Sequence, residues 1–201
     1  MFDRAATALI KPLVDRGAAL ALRAGISANQ LTLGGFALGM LAALLVGCGQ
    51  FGGAVLAMLL SRLCDALDGA AARQSRVTDA GAFLDITLDF LFYAAVALAF
   101  AFADPQRNAL ASAVLLASFV GTGSSFLAYA VLAARRGMDN AAYPDKSFYF
   151  LGGLTEAAET LAFFIAMCLW PAYFPQLAYA FAALCGVTTA TRIAWGWRSL
   201  R

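Results

Sequence analysis

Four aspartates lie at helical spacing in stretches that are apolar enough to enter a lipid bilayer. Asp65 and Asp68 stand three residues apart, and Asp85 and Asp89 stand four apart, so each pair occupies one face of a helix. A carboxylate at membrane depth costs about 2.5–3.5 kcal/mol on insertion scales, which makes it a functional-site hypothesis by default. Converging carboxylates repel one another unless cations neutralise them. One or two Mg²⁺ or Mn²⁺ ions fit, because they bind carboxylate oxygens and share their coordination sphere with substrate phosphates.

Other side chains that bind metals or transfer protons are scarce. The chain has no histidine, which excludes the commonest proton shuttle and transition-metal ligand and leaves carboxylates for acid–base work. Cys48, Cys64, Cys168 and Cys185 are scattered without a C-x-x-C spacing, so neither a zinc site nor a disulfide framework is indicated.

Structural explanations compete with a catalytic one. Arg62 lies one turn before Asp65 and is a candidate partner for an ion pair. Gly69 and Ala72 continue the Asp65 face and leave it nearly bare, which suits either a flat ligand or a closely packed helix. The Gly-, Ser- and Thr-rich run at 121–125 indicates close helix packing, with a binding site as the alternative.

The composition is that of a membrane protein. The chain is 62% hydrophobic and 13% charged, with a mean hydropathy of +0.76, against about 45–50% and about 25% in soluble domains. We expect an all-α polytopic membrane protein, organised as one domain over residues 1–201. The net charge of +2 without a long basic run indicates no nucleic-acid partner.

About six stretches are long and apolar enough to span a bilayer, which takes about 17–25 residues. They lie near 31–48, 52–72, 81–103, 109–134, 150–172 and 175–195, and together they predict a transmembrane bundle over 31–195. Lysines and arginines concentrate before the first span, in every second loop and after the last span. By the positive-inside rule, both termini and the ends of the helices that carry the aspartates face the cytoplasm.

The first 25 residues differ from these spans. Apolar residues recur there at helical spacing between charged ones such as Lys11 and Arg16, which predicts an amphipathic helix in the cytoplasmic interface. The same charges argue against a cleaved signal peptide. Gly25 is expected to end this helix, and the segment from Ser27 to Gln30 to begin the first span.

The aspartates and their neighbours form a recognisable motif. Asp65-x-x-Asp68-Gly69-x-x-Ala72-Arg73 followed by Gly81-x-x-x-Asp85-x-x-x-Asp89 resembles the signature of the CDP-alcohol phosphotransferases, also called CDP-alcohol phosphatidyltransferases. All eight defining residues are present. Seven residues separate Arg73 from Gly81, where the usual pattern has eight. Because the shortening falls in a polar connection, both helical halves are expected to keep their phase.

The resemblance implies transfer of a phosphatidyl group from a CDP-lipid, such as CDP-diacylglycerol, to the hydroxyl of a small polar alcohol, with release of CMP. It implies Mg²⁺ or Mn²⁺ as cofactor, a multi-pass protein of a bacterial inner membrane with a cytoplasmic active site, and a homodimer. The implied metal ligands are Asp65, Asp68 and Asp85. Asp89 would be the general base, and its further role as a ligand of a second ion is left open. The implied nucleotide contacts are Asp65, Gly69, Ala72, Arg73 and Gly81.

The acceptor side is less defined. Glu156, Glu159 and Arg192 either hold helices together as a buried charge cluster or line an acceptor pocket, and we expect Arg192 to pair with at least one glutamate. Lys146 either anchors the chain at the interface or contacts a phosphate. No set of residues selects among acceptors such as inositol phosphate, glycerol phosphate and serine.

Two alternative functions stay open at this level. In the first alternative, a soluble CDP-alcohol donates its head group to diacylglycerol. In the second, from a different class, the chain is a small cation or solute carrier whose intramembrane acids bind the transported ion. The Gly69, Ala72 and Arg73 context favours the nucleotide enzyme, because a bare cation site does not need it.

Overall fold

A computed structural model describes residues 2–137 and 154–201, with side chains from Lys11 onward. Within these residues the chain is helical and contains no strand. The helices are α1 (Phe2–Arg23), α2 (Ala28–Gly47), α3 (Phe51–Gln74), α4 (Asp79–Ala103), α5 (Pro105–Arg135), α6 (Ala157–Leu169) and α7 (Phe174–Ser199). They form two compact units, Met1–Ala103 and Asp104–Arg201.

Four segments of the described chain are long and apolar enough to cross a membrane: α2, α4, α5 and Pro171–Ser199, which comprises a 3₁₀ turn and α7. The six predicted spans include two further helices, α3 and α6. α3 has 24 residues, or about 36 Å at 1.5 Å per residue, but its aspartates and arginines lower its hydropathy. α6 has 13 residues, and residues 150–153 of the predicted fifth span lie outside the described residues. The all-helical class is thus confirmed, whereas the count of six spans stays a prediction.

The start of α2 is encoded locally. The Ser27 hydroxyl accepts a hydrogen bond from the Gln30 backbone N–H at 3.3 Å, and the Gln30 side chain accepts one from the Ser27 N–H at 2.8 Å. This reciprocal capping box satisfies two of the unpaired N–H groups at the helix start. Gly25, with a φ of +80°, supplies the left-handed turn between α1 and α2. The predicted boundary at Gly25 and Ser27 is confirmed.

Small residues let α2 approach α3 and α4 closely in the first unit. A Cβ on Gly35 would lie 2.9 Å from the Cβ of Cys64, and a Cβ on Gly39 would lie 2.6 Å from the ring of Phe92. The buried Ser61 hydroxyl donates a hydrogen bond of 2.7 Å to the Gly35 carbonyl. These contacts hold the three helices together beside the aspartates.

Helix α1 packs on α3 through a small apolar cluster. Ala18 is fully buried with Ala70 and Ala71 of α3, and the Gln74 side chain donates a hydrogen bond of 2.9 Å to the Asp15 carbonyl. Leu20, by contrast, is 63% exposed. An amphipathic α1 is consistent with the predicted interfacial helix, but its position at a membrane surface stays a prediction.

In the second unit, α5 and α6 pack on α7. A Cβ on Gly121 would lie 3.1 Å from the Thr189 hydroxyl, and the Phe119 ring meets the Phe181 ring edge-on at 6.0 Å. The Thr155 and Thr188 hydroxyls are hydrogen-bonded at 3.0 Å. The contact at Gly121 agrees with the packing role expected for the 121–125 run.

Candidate active site

Three of the four aspartates converge. Asp65 and Asp68 project from α3 and Asp85 from α4, and one carboxylate oxygen from each lies within 4.8 Å of the other two. Oxygens on opposite sides of a single divalent ion are about 4–5 Å apart, given metal–oxygen distances of about 2.0–2.6 Å. The shorter connection between Arg73 and Gly81 has therefore not put α3 and α4 out of phase.

Asp68 supplies the clearest indication of a bound cation. The residue is 5% exposed, and its Oδ2 atom is buried with no hydrogen-bond partner among the described residues. A buried carboxylate oxygen without a partner is costly. A hard divalent cation held by Asp65, Asp68 and Asp85 removes that cost, so the donor set fits Mg²⁺ or Mn²⁺.

Asp89 is engaged differently, through an arginine. Its Oδ1 atom accepts a hydrogen bond of 2.7 Å from Nη1 of Arg62, and the same nitrogen lies 3.6 Å from Oδ1 of Asp65. The Arg62 guanidinium also lies 4.6 Å from the centroid of the Phe92 ring. The ion pair between Arg62 and Asp65 that the sequence suggested is therefore present, but it is longer than the contact between Arg62 and Asp89. Neither contact of Arg62 compensates the buried oxygen of Asp68.

These aspartates and Arg62 line one cleft in the first unit. Sequence reasoning did not identify the wall supplied by α2, nor two further positions on α3 and α4. A signal for α2 was present, because Gly35 and Gly39 form a G-x-x-x-G pattern of the kind that brings helices close. The lining residues missed were Thr32, Gly35, Phe36, Ser61 and Leu88.

The remaining motif residues lie beside this cleft and do not line it. A Cβ on Gly69 would lie 3.4 Å from Nη1 of Arg73, so the guanidinium runs along the bare face of α3. The Gly81 N–H donates a hydrogen bond of 3.1 Å to the Thr78 hydroxyl. A Cβ on Gly81 would lie 3.2 Å from Oδ1 of Asn29, which brings the starts of α2 and α4 together. Nucleotide contacts by these residues, including Ala72, stay a prediction.

Three of the residues suggested for the acceptor, Glu156, Glu159 and Arg192, lie in the second unit. Arg192 is buried, and its Nη1 atom donates a hydrogen bond of 3.1 Å to the Thr122 carbonyl. Among the acids, Glu156 contributes to its electrostatic environment. Glu159 accepts a hydrogen bond of 3.1 Å from the Glu156 N–H in the capping box of α6. Lys146 lies outside the described residues, and the acceptor role of all four stays a prediction.

Comparison with known proteins identifies relatives over the whole chain. The profile of the family described as CDP-alcohol phosphatidyltransferase matches residues 26–192. The inner membrane protein YnjF of Escherichia coli K12 is 50% identical over 201 residues, which is 100% of this chain and 98% of that protein.

Solved structures of one protein share the fold. Phosphatidylinositol phosphate synthase PgsA1 of Mycobacterium tuberculosis with CDP-DAG bound superposes with a TM-score of 0.76, at 21% identity over 92% of this chain and 94% of that one. Its complex with manganese and citrate gives a TM-score of 0.73, at 22% identity over 92% and 88% of the two chains.

Proposed function

Because the chain belongs to the CDP-alcohol phosphatidyltransferase family, we propose that it transfers a phosphatidyl group from CDP-diacylglycerol or a similar CDP-lipid to a small polar alcohol, releasing CMP. The observation that carries this proposal is the convergence of Asp65, Asp68 and Asp85 in one cleft, at motif positions that the family uses for its metal. The similarity in fold to a synthase with CDP-DAG bound supports a CDP-lipid as donor.

We propose Mg²⁺ or Mn²⁺ as the cofactor, held by Asp65, Asp68 and Asp85. The buried oxygen of Asp68, which has no hydrogen-bond partner among the residues that the structure describes, supports a cation at this point. A protein of the same fold has been crystallised with manganese. When bound, such an ion offsets the charge of the donor's diphosphate and of the leaving CMP.

Asp89 is the proposed general base. Its carboxylate lines the same cleft as the three metal-binding aspartates, and the Arg62 guanidinium fixes one of its oxygens. In the reaction, the acceptor oxygen forms a bond to the phosphorus that carries the lipid, while the bond from that phosphorus to the CMP oxygen breaks. The hydroxyl proton passes to Asp89, and CMP leaves with the bonding electron pair.

The nucleotide is proposed to lie along the bare face of α3. Gly69 and Ala72 leave room there for the cytidine, and the exposed Arg73 next to Gly69 is placed to meet phosphate charge. Gly81 lies at the start of α4, where its N–H is held by Thr78.

We further propose a multi-pass protein of the bacterial inner membrane, in which α3 and the predicted span near 150–172, which includes α6, complete six spans and α1 lies at the cytoplasmic surface. An inner membrane relative and four apolar helices support the membrane location. The cytoplasmic termini and active site rest on the charge distribution. The family match, which runs from residue 26 to 192, supports a single functional domain. The homodimer rests on the family resemblance.

The direct test is CMP release by purified protein supplied with CDP-diacylglycerol and a panel of acceptors, with the lipid products identified by mass. Activity should disappear in excess EDTA and return with Mg²⁺ or Mn²⁺. Asp85→Asn should abolish most CMP release. Asp79→Asn is the matched control, because Asp79 is an exposed acid in the first turn of the same helix and should leave the rate near wild type.

Other outcomes would identify the alternative functions. Product formed only from a soluble CDP-alcohol and diacylglycerol would reverse the roles of donor and acceptor. CMP release undiminished by EDTA would contradict the metal assignment. A chain that neither releases CMP nor gains thermal stability from CMP with Mg²⁺, yet moves an ion across vesicles, would be a carrier.

A further inference from the structure

The four aspartates of the cleft have different neighbours. Asp65, Asp68 and Asp85 have carboxylate oxygens within 4.8 Å of one another, a grouping that does not include Asp89. Asp89 meets a fixed positive charge instead, through its 2.7 Å contact with Arg62. Nothing in the motif accounts for Arg62, which precedes the first motif aspartate by one helical turn.

The Arg62 guanidinium is held on several sides. Besides Asp89, Nη1 lies 3.6 Å from Asp65, and Nη2 donates a hydrogen bond of 3.3 Å to the Ser61 hydroxyl. Its carbon lies 4.6 Å from the Phe92 centroid, within the range of a cation–π contact. The side chain is 15% exposed, so surrounding protein fixes the guanidinium beside Asp89.

A second divalent ion bound to Asp89 would lie within a few ångströms of this guanidinium. Two metal ions that share a site are typically about 3.5–4 Å apart, so a second ion between Asp89 and the three-aspartate group would have to take the space near Arg62. Like charges at that distance repel strongly where water is scarce. The arginine and a second ion therefore compete for the same carboxylates.

We propose that Arg62 takes the place of a second metal ion, so that this site binds one divalent ion at Asp65, Asp68 and Asp85. Arg62 is then a positioning residue that supplies the positive charge next to Asp89 and holds its carboxylate toward the cleft. This inference rests on the metal site of the proposed function, and it adds the number of ions and the reason for that number.

The test counts Mn²⁺ ions bound to purified, metal-free protein without nucleotide, by titration with electron paramagnetic resonance detection of free Mn²⁺. The wild type should bind one ion per chain, and Asp68→Asn should weaken or abolish that binding. Arg62→Lys keeps the positive charge and should also bind one. Arg62→Met removes the charge but keeps an unbranched apolar side chain over Phe92, and it should bind two ions. The two ions should broaden each other's spectrum, because they would be close together.

Two controls locate the second ion. Arg62→Met combined with Asp89→Asn should return to one ion, because the second ion needs the Asp89 carboxylate. Arg23→Met removes an exposed arginine at the end of α1 and should leave the count at one. If Arg62→Met does not purify as folded protein, Arg62→Gln makes the same test with a neutral polar side chain.

Two results would overturn the inference: two ions on the wild-type protein, or one ion with unchanged affinity on the neutral Arg62 variants. Both are independent of catalysis. Wild type that binds one ion and releases no CMP would contradict the proposed function and leave the single-ion site in place. Wild-type protein that releases CMP and binds two ions would support the proposed function and contradict the single-ion site.

Discussion

Asp68 and Asp89 have the same side chain but different surroundings. Asp68 is buried, with one oxygen that has no hydrogen-bond partner in the part of the chain that the structure describes. Asp89 is half-buried and is held by Arg62. A buried carboxylate oxygen without a partner needs a cation, whereas a carboxylate oriented by an arginine at the edge of a cleft can accept a proton from a substrate. The two residues should therefore fail in different ways when each is replaced.

Asp68→Asn should weaken Mn²⁺ binding by at least about tenfold, since losing even an outer-shell partner of a metal ligand costs about 10–100-fold. Asp89→Asn should bind Mn²⁺ and the CDP-lipid nearly as the wild type does, but turn over about 10²–10⁴-fold more slowly, because only the proton acceptor is lost. Calorimetry of Mn²⁺ binding and CMP-release kinetics measure the two effects. Near wild-type turnover by Asp89→Asn would assign the base to another group.

At the scale of helices, the cleft depends on how closely α2 approaches α3. Gly35 lines the cleft and accepts a hydrogen bond from Ser61 through its carbonyl. An added Cβ would lie 2.9 Å from the Cβ of Cys64 and 3.2 Å from the Ser61 carbonyl. Neither atom is at the end of a flexible side chain, so the helices themselves would have to move apart.

Gly35→Ala should lower the melting temperature in detergent, with a loss of about 1–3 kcal/mol typical of an overpacked contact. It should also lower CMP release, because Thr32 and Phe36 on the same helix would shift with it. Gly34→Ala is a matched control one residue earlier, where an added Cβ meets nothing within 4 Å. Its melting temperature should be unchanged or higher, because alanine favours helix over glycine by about 1 kcal/mol. Equal melting temperatures for the two variants would contradict this account of the α2–α3 contact.

For the whole molecule, the charges outside the helices predict its orientation in the bilayer. Arg107 is alone on one set of predicted loops, while the other set and the termini hold the rest of the loop lysines and arginines. Positive residues stay on the cytoplasmic side. Helix α3 should therefore cross the membrane, with Gln50 before it on the outer side and Val77 after it on the cytoplasmic side.

Single-cysteine variants measure this orientation directly. In a background without the four native cysteines, Gln50→Cys should react with a membrane-impermeant maleimide in intact cells. Val77→Cys should react only after the cells are permeabilised. Both positions lie in exposed connections that flank α3, so each serves as a control for the other. Labelling of both in intact cells would mean that α3 does not span the membrane.

The sequence alone determined the features that depend on local spacing and composition. Apolar stretches of about 17–25 residues predict membrane helices, because a helix of that length spans a bilayer and pairs its own backbone groups. Intervals of three and four residues put each pair of aspartates on one helix face, and Ser27 with Gln30 marked the start of α2. These inferences involve residues within a turn or two of one another, where helix geometry fixes which side chains are neighbours.

Only the tertiary structure decided which residues from different helices meet. Sequence spacing offered Asp65 as the partner of Arg62, but the shorter contact is to Asp89, 27 positions away. The tertiary structure likewise places Gly35 and the other lining residues of α2 in the cleft. Such contacts depend on how closely and at what rotation helices pack, which is set by many side chains at once. The spacing along one helix therefore predicts which side chains share a face of that helix. Which residues of other helices those side chains contact is determined by packing.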